Sequence, residues 1–394
     1  MPSAAILAIL KHDYKPTNII ANTVLLGVFT YTQRLKNRNF KYVKARGNVY
    51  VDTIGSLFYL TATTFHFLST HLLYEHGPLS QVSLSLTIDE VKKTVESMNN
   101  KKAPGDDGIT GDIYNYAFKT LPKYITAIYN GCLKNGIFPT RWKRAKLIPI
   151  IKPGCEKSHE VLKYRPISLL NIGGKVLEKL LINRINHHLF TNDYASNNQY
   201  GFMPQRNATD AAMAAREYIE EGFGNGEVVA LVSLDVAEAF NSAWWPTILK
   251  TLRDCGCLRN LLNLTKSYFT NRVAILQTNN TIEAEITKGC PQGSCCSPGL
   301  WNIQYNTLLE LNYTNRTKAI AFADDLILMK RGNSDRSGNI ANVEMSKIST
   351  WAKANKIQFN ERKSKVLLLT RRKPKKGGNW KYTSTSGSSP RCQT

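Results

Sequence analysis

The chain has 394 residues, 42% hydrophobic and 21% charged, an ordinary globular composition that excludes a disordered or fibrous protein. Its Lys+Arg total of 52 against 29 Asp+Glu leaves a net charge of +23, which raises the local concentration of polyanions through steering and counterion release. The basic residues are spread along the chain rather than gathered on one amphipathic helix, so nucleic acid is the expected partner and a membrane surface is not.

Residues 1–80 read as an extension of uncertain role, with apolar stretches at 19–31 and 54–73 flanking a basic segment at 34–46. The second stretch has no Asp, Glu, Lys or Arg over a length that could span a bilayer. Its many Thr and Ser residues, with His66 and His71, lower its hydropathy, so a packed helix or a foreign extension is expected there. From Thr87 the pattern becomes regular. Thr87 with Glu90 makes a capping box, and Ile88, Val91, Val95 and Met98 follow at helical spacing. The helix stops in a basic Gly/Pro loop at 99–108, containing Lys102, of the kind that lies against phosphates or covers a surface.

Residues 138–154 run from a basic segment into the apolar strand Leu147 to Ile151, ending at Lys152; Tyr164-Arg165-Pro166-Ile167-Ser168 soon follows. Two strands that each place a cation beside a proline suit a grip on a triphosphate, although without further context two solvated charges are the more ordinary reading. Val176, Leu177, Leu180, Leu181 and Ile185 then form a core-facing helical stripe. Gln199-Tyr200-Gly201-Phe202 and Arg206 lead into an Ala-rich helix from Ala208 to about Glu221. The run Val228 to Leu234 is a buried strand closed by Asp235, a carboxylate that reads either as a metal ligand or as the N-cap of a following helix.

A hairpin is expected from Arg272 to Ile286, turning at Asn279-Asn280. Gly289-Cys290-Pro291-Gln292-Gly293-Ser294 then lets backbone approach a base pair or phosphate before a helix from about Gly299 to Leu311. At 321–329 the adjacent Asp324 and Asp325 interrupt an apolar run. Such charges are costly without a cation or hydrogen bonds, although Asp-Asp is also acceptable turn chemistry. A helix at 340–354 and a strand within 357–369 carrying Asn360, Lys363 and Lys365 precede a basic, Gly/Ser-rich tail, 373–394, that is expected to be disordered.

Eight cysteines (132, 155, 255, 257, 290, 295, 296 and 392) show neither Cys-x-x-Cys spacing nor a zinc-finger His partner. With no cleavable signal at the start, reduced thiols in the nucleus or cytoplasm are expected, not a secreted protein.

Carboxylates at the ends of two strands, an upstream cationic pair and a small-residue loop between them are the parts of two-metal nucleotidyl transfer. Leu234-Asp235 to Ala239-Phe240, Gly289 to Ser294, Phe322-Ala323-Asp324-Asp325 and Asn360 to Lys363 closely resemble the palm motifs of reverse transcriptases of non-LTR (LINE-type) retrotransposons. Residues 102–106, 148–154, 164–170 and 199–202 resemble the same family's finger motifs, so the resemblance covers about residues 85–372. Ala243-Trp244-Trp245 and Gly299 to Asn302 are most similar to arthropod elements that insert at defined targets.

The resemblance implies an α+β right-hand polymerase, with an antiparallel palm sheet packed on helices, fingers, and a thumb that is largely absent. Its activity would be RNA-directed DNA polymerisation, with an RNA template, a DNA primer, the element RNA and dNTPs as partners and no obligate protein partner. It implies that Asp235, Asp324 and Asp325 are catalytic and that, with the Val236 carbonyl, they hold two Mg²⁺ ions, Mn²⁺ being the substitute. Lys152 and Arg165 would hold the triphosphate, Phe240 would exclude a 2′-hydroxyl, Gln292 would touch the nascent pair and Lys363 would donate a proton to pyrophosphate. Lys102, Arg206 and Gly293 would meet nucleic acid. Asn241 stands where the family more often has Asp. The upstream endonuclease usual in the family has no counterpart, which implies a truncated core; the alternative is a catalytically inactive remnant that only binds nucleic acid.

Overall fold

A computed structural model describes residues 85–155, 160–332 and 337–371. The extension at 1–80, its candidate membrane stretch and the tail from 373 lie outside the described residues; among those described, no helix is long and apolar enough to cross a membrane.

The described residues open with α1 (Ile88–Glu96), α2 (Gly111–Thr120) and α3 (Pro122–Asn135). Thr87 caps α1 as expected, its hydroxyl accepting the Glu90 amide at 3.1 Å. The Glu90 carboxylate does not complete the box; it accepts from Arg184 at 2.9 and 2.7 Å instead, because a guanidinium offers two charge-assisted bonds. Strands β1 (Arg144–Ile151) and β2 (Tyr164–Leu169) and the long helix α4 (Ile172–Thr191) follow. Helix α5 (Ala208–Gly224) starts at a full capping box between Asn207 and Asp210 and leads into β3 (Val228–Leu234). The short α6 (Ala239–Ser242), then α7 (Trp245–Asp254) and α8 (Arg259–Phe269), precede the expected hairpin of β4 (Arg272–Gln277) and β5 (Thr281–Ile286). Helix α9 (Ser297–Leu309), β6 (Thr317–Phe322), β7 (Asp325–Gly332), α10 (Ser337–Ala354) and β8 (Lys365–Leu369) complete the order.

Two four-stranded sheets organise these elements, one in the order β2-β1-β4-β5 and the other β6-β7-β3-β8. The first is mixed, since β1 pairs antiparallel with β2 but parallel with β4, a long-range pairing that no local pattern announces. The second is antiparallel throughout and carries the expected buried strand near its middle. Strand β3 is covered on both faces. Val232 and Leu234 join the main core with α4, α8 and α9, while Val229 joins a smaller cluster with Ala215 and Tyr218 of α5, Ile320 and Met329. Double coverage is why the strand reads as an unbroken apolar run, each fully buried aliphatic side chain contributing about 1.5–3 kcal/mol. The architecture is the expected α+β arrangement of a palm sheet on helices beside a fingers sheet. Seven described cysteines are free thiols.

Candidate active site

The carboxylates meet through strand register. Leu234 pairs with Leu326 and Phe322 with Asp325, so one residue beyond β3 places Asp235 across from Asp325 at the β6–β7 turn. The segment after β3 is stapled by residues 358–364: the Asp235 carbonyl accepts from Asn360 N at 2.7 Å, Ala237 N donates to the Gln358 carbonyl at 2.8 Å, and Val236 bridges Phe359. Asp235 is not a helix cap. The next helix starts at Ala239 with Glu238 at its N-cap, and Asp235 is left as a strand-end carboxylate.

Its Oδ2 atom is buried and forms an ion pair with Lys363 Nζ at 3.3 Å, a solvent-facing countercharge. Asp324 is half-buried, and burial raises its carboxyl above the usual carboxylate value; Asp325 and Asp235 raise it further while Lys363 opposes them. Asp325 is exposed. Three acidic groups thus share one sheet end and repel one another, an arrangement that a cation would relieve. Among the described residues no three His, Cys, Asp or Glu side chains form a ready-made metal cage. Mg²⁺ does not require one, since it is commonly held by one or two carboxylates plus waters and substrate phosphates. Hard oxygen donors and the mutual repulsion of the three carboxylates fit that ion.

The turn itself is supported from behind. Ala323 has φ +58°, and the carbonyl of Asp324 accepts from Tyr305 Oη at 3.1 Å. Phe240 is half-buried, its ring centroid 6.0 Å from Phe202 and 6.3 Å from Trp301. From here the loop at 289–294 crosses to the other sheet. Cys290 N donates to the Phe240 carbonyl at 2.6 Å, and Ser168 N of β2 donates to the Gln292 carbonyl at 2.7 Å. Gly293 has φ +118°, and a Cβ there would stand 2.7 Å from the Ser168 carbonyl oxygen, so this crossing demands glycine.

On the fingers sheet Arg165 pairs with Ile150, which puts Arg165 on the same face as Lys152, two residues beyond Ile150. Arg165 is exposed. Gln292, paired alongside Ile167, therefore lies beside the Arg165 strand and links the cations to the palm. Lys102 is exposed in its loop. Arg206 is engaged differently: its guanidinium donates to the carbonyls of Ser196, Asn197 and Gln199 at 2.9–3.2 Å and to Asn197 Oδ1 at 2.8 Å, bracing the 196–199 turn.

Two supporting residues have roles that the sequence motifs do not show. Glu178, fully buried in α4, accepts the Cys295 amide at 2.7 Å, and burial raises its carboxyl despite nearby Arg272. Its signal in the sequence is a carboxylate on the stripe Gly174, Glu178, Leu181, Ile185, where an apolar residue belongs. Gln199 is the other: it opens the 199–202 motif, but its contact with the turn, where its amide side chain meets both the N–H and the carbonyl of Ala323, does not show in the sequence.

The family model for reverse transcriptase (RNA-dependent DNA polymerase) matches residues 150–386. The chain is similar to a 115 kDa protein in the type-1 retrotransposable element R1DM of Drosophila melanogaster, 30% identical over 291 residues that cover 73% of this chain and 28% of that protein. It is also 30% identical over 250 residues to the retrovirus-related Pol polyprotein of the type-1 retrotransposable element R1 of Bradysia coprophila, covering 63% of this chain and 24% of that one. The RNA-directed DNA polymerase from the mobile element jockey of Drosophila funebris is 31% identical over 224 residues, covering 55% of this chain and 24% of it. The chain spans about a quarter of the length of these relatives.

Proposed function

We propose that this chain, which belongs to the reverse transcriptase (RNA-dependent DNA polymerase) family, extends a DNA primer by adding dNTPs along an RNA template, as the polymerase core of a non-LTR retrotransposon. The observation that carries the reading is the convergence of Asp235, Asp324 and Asp325 at one end of the β3–β7 pair, with Lys363 Nζ beside Asp235 Oδ2 as the counter-cation.

Asp235 and Asp324, with Asp325 and the Val236 carbonyl, are the residues that would hold Mg²⁺ or Mn²⁺. Bound there, two such ions lower the pKa of a primer 3′-hydroxyl and neutralise charge on the leaving pyrophosphate. The remaining work falls to the chain. Lys152 and Arg165 bind the triphosphate from the fingers, Arg by two-pronged contact and Lys as a point charge. Phe240 presents an aromatic edge under the sugar, where a 2′-hydroxyl would find no hydrogen-bond partner and no room, favouring dNTP over NTP. Gln292 packs against the nascent pair, and Lys363, whose Nζ lies 3.3 Å from Asp235 Oδ2, would protonate pyrophosphate. Lys102 and Gly293 line the approach of the nucleic acid, while Arg206, bonded to the 196–199 turn, supports it from behind. RNA template, DNA primer and element RNA are the partners this reading requires, and the nucleus or cytoplasm its compartment.

The test is primer extension on an RNA template with dNTPs and Mg²⁺. Incorporation by the parent chain and a loss of about 10³-fold in Asp324→Asn are expected. Equal activity in the two would overturn the assignment, and salt-sensitive RNA binding without any extension would make the chain a binding remnant.

A further inference from the structure

We infer that Gln199 is a positioning residue for the reaction, gripping the backbone of Ala323 and thereby setting the direction of Asp324. The inference rests on reading Asp324 as catalytic. Gln199 is 3% exposed, and its Oε1 accepts the Ala323 amide at 3.0 Å while its Nε2 donates to the Ala323 carbonyl at 3.1 Å. One side-chain amide thus satisfies both polar groups of the residue that precedes Asp324. Ala323 needs such a grip. Its φ of +58° is unfavourable for a residue with a Cβ, and a turn in that conformation persists only when its surroundings over-determine it.

Gln199 is itself held by its own segment. It bridges Ala321 in the sheet, Tyr200 N donates to the Ala321 carbonyl at 2.8 Å, and Arg206 donates to the Gln199 carbonyl at 2.9 Å. Its Oε1 also accepts the Gly201 amide at 2.8 Å, and Asn302 fixes the Gly201 carbonyl at 2.9 Å. Gly201 lies so close to the turn that a Cβ on it would stand 2.0 Å from Ala323 N. A chain of contacts therefore runs from Arg206 through Gln199 to the backbone of Ala323, and none of these groups touches a reacting atom. A side-chain amide supplies an acceptor and a donor at this reach, whereas ionised Glu lacks the donor and Met offers only a weak sulfur acceptor.

The experiment compares the full chain with Gln199→Ala and with Gln199→Met, which keeps the volume if the alanine fails to fold. Amide hydrogen exchange of the peptide spanning residues 321–326 reads the grip without metal or substrate. Expected are faster exchange in that peptide, with the rest of both sheets unchanged, and a kcat lower by about 10–100-fold with the KM for dNTP within about threefold of the parent. Adding Ala323→Gly to Gln199→Met, which removes the Cβ penalty at positive φ, should recover part of kcat. Unchanged exchange at 321–326, an unchanged kcat, a rise in exchange throughout both sheets, or no recovery with glycine each overturn the inference. A parent chain that shows no extension sinks the polymerase reading, while the exchange measurement still decides the grip.

Discussion

The turn that carries Asp324 and the hairpin that carries Lys152 and Arg165 present opposite charges and are built in opposite ways. Asp235 and the Asp324–Asp325 turn sit on β3 and β7, strands buried on both sides of their sheet, with Gln199, Trp301 and Tyr305 packed behind. Strand β1 is exposed over its outer half, Ile150 being 50% exposed, and Arg165 faces solvent. The difference follows from the physics of each task. Like charges that must converge within a few ångströms repel, and only a rigid, over-determined backbone holds them there. On the proposed reading, cations that meet a mobile triphosphate belong on an open sheet, where long side chains can reach it. The loop at 289–294, bonded to Phe240 on one side and Ser168 on the other, ties the rigid half to the open half.

The largest effect expected from this contrast is at Asp235. Asp235→Asn should lower kcat by about 10³-fold while leaving RNA affinity, measured by filter binding, within about twofold of the parent. A matching loss of RNA affinity would mean that the palm turn serves binding as much as chemistry. A smaller effect is expected on the fingers. Lys152→Ala or Arg165→Ala should raise the KM for dNTP by about 10–100-fold in steady-state extension, with kcat changing far less, as befits one lost charge-assisted contact. If kcat instead collapses as at Asp235, the distinction between rigid and open halves fails.

The smallest effect concerns Asp107, in the loop beside the fingers. Its carboxyl is pushed up from 3.8 to about 6, chiefly by burial and further by Asp106, against the Ile109 amide that it accepts at 3.1 Å and against Lys175. A carboxylate whose folded pKa is raised binds more protons in the folded state. Stability from this group is therefore present below the unfolded value of 3.8 and is lost as pH rises through about 6. Asp107→Asn should lack that decline, and at pH 8 it should be more stable than the parent by about 1–3 kcal/mol relative to their difference at pH 4. Denaturant midpoints that run parallel for the two chains across this range would show that Asp107 carries no such shift.

Some of this was legible from local pattern. The unbroken apolar run at 228–234 marked a strand covered on both faces, the hairpin at 272–286 was announced by its turn, and Thr87 announced a helix start. Adjacent carboxylates in an apolar hairpin pointed to a candidate site because their cost is local and visible. Other features were opaque for an equally physical reason. Thr87 and Glu90 fit a capping box by spacing, yet Arg184, ninety-four positions away, outcompetes the Thr87 amide for the carboxylate. The parallel pairing of β1 with β4 depends on which edges are free after the helices have packed.

What the sequence alone determined about this protein is its inventory of chemistry: three acidic residues at strand ends, an aromatic at 240, cations at 152 and 165, and a glycine-rich loop to join them. Those follow from residue type and short-range period, which a linear chain displays directly. Only the tertiary structure decided that Asp235 stands across from Asp325, that Glu178 anchors the loop at 295, and that Gln199 reaches 124 positions along the chain to hold Ala323 in a left-handed turn. A hydrogen bond between such distant residues leaves no period in the sequence, because its geometry exists only after the sheets and helices have closed around it.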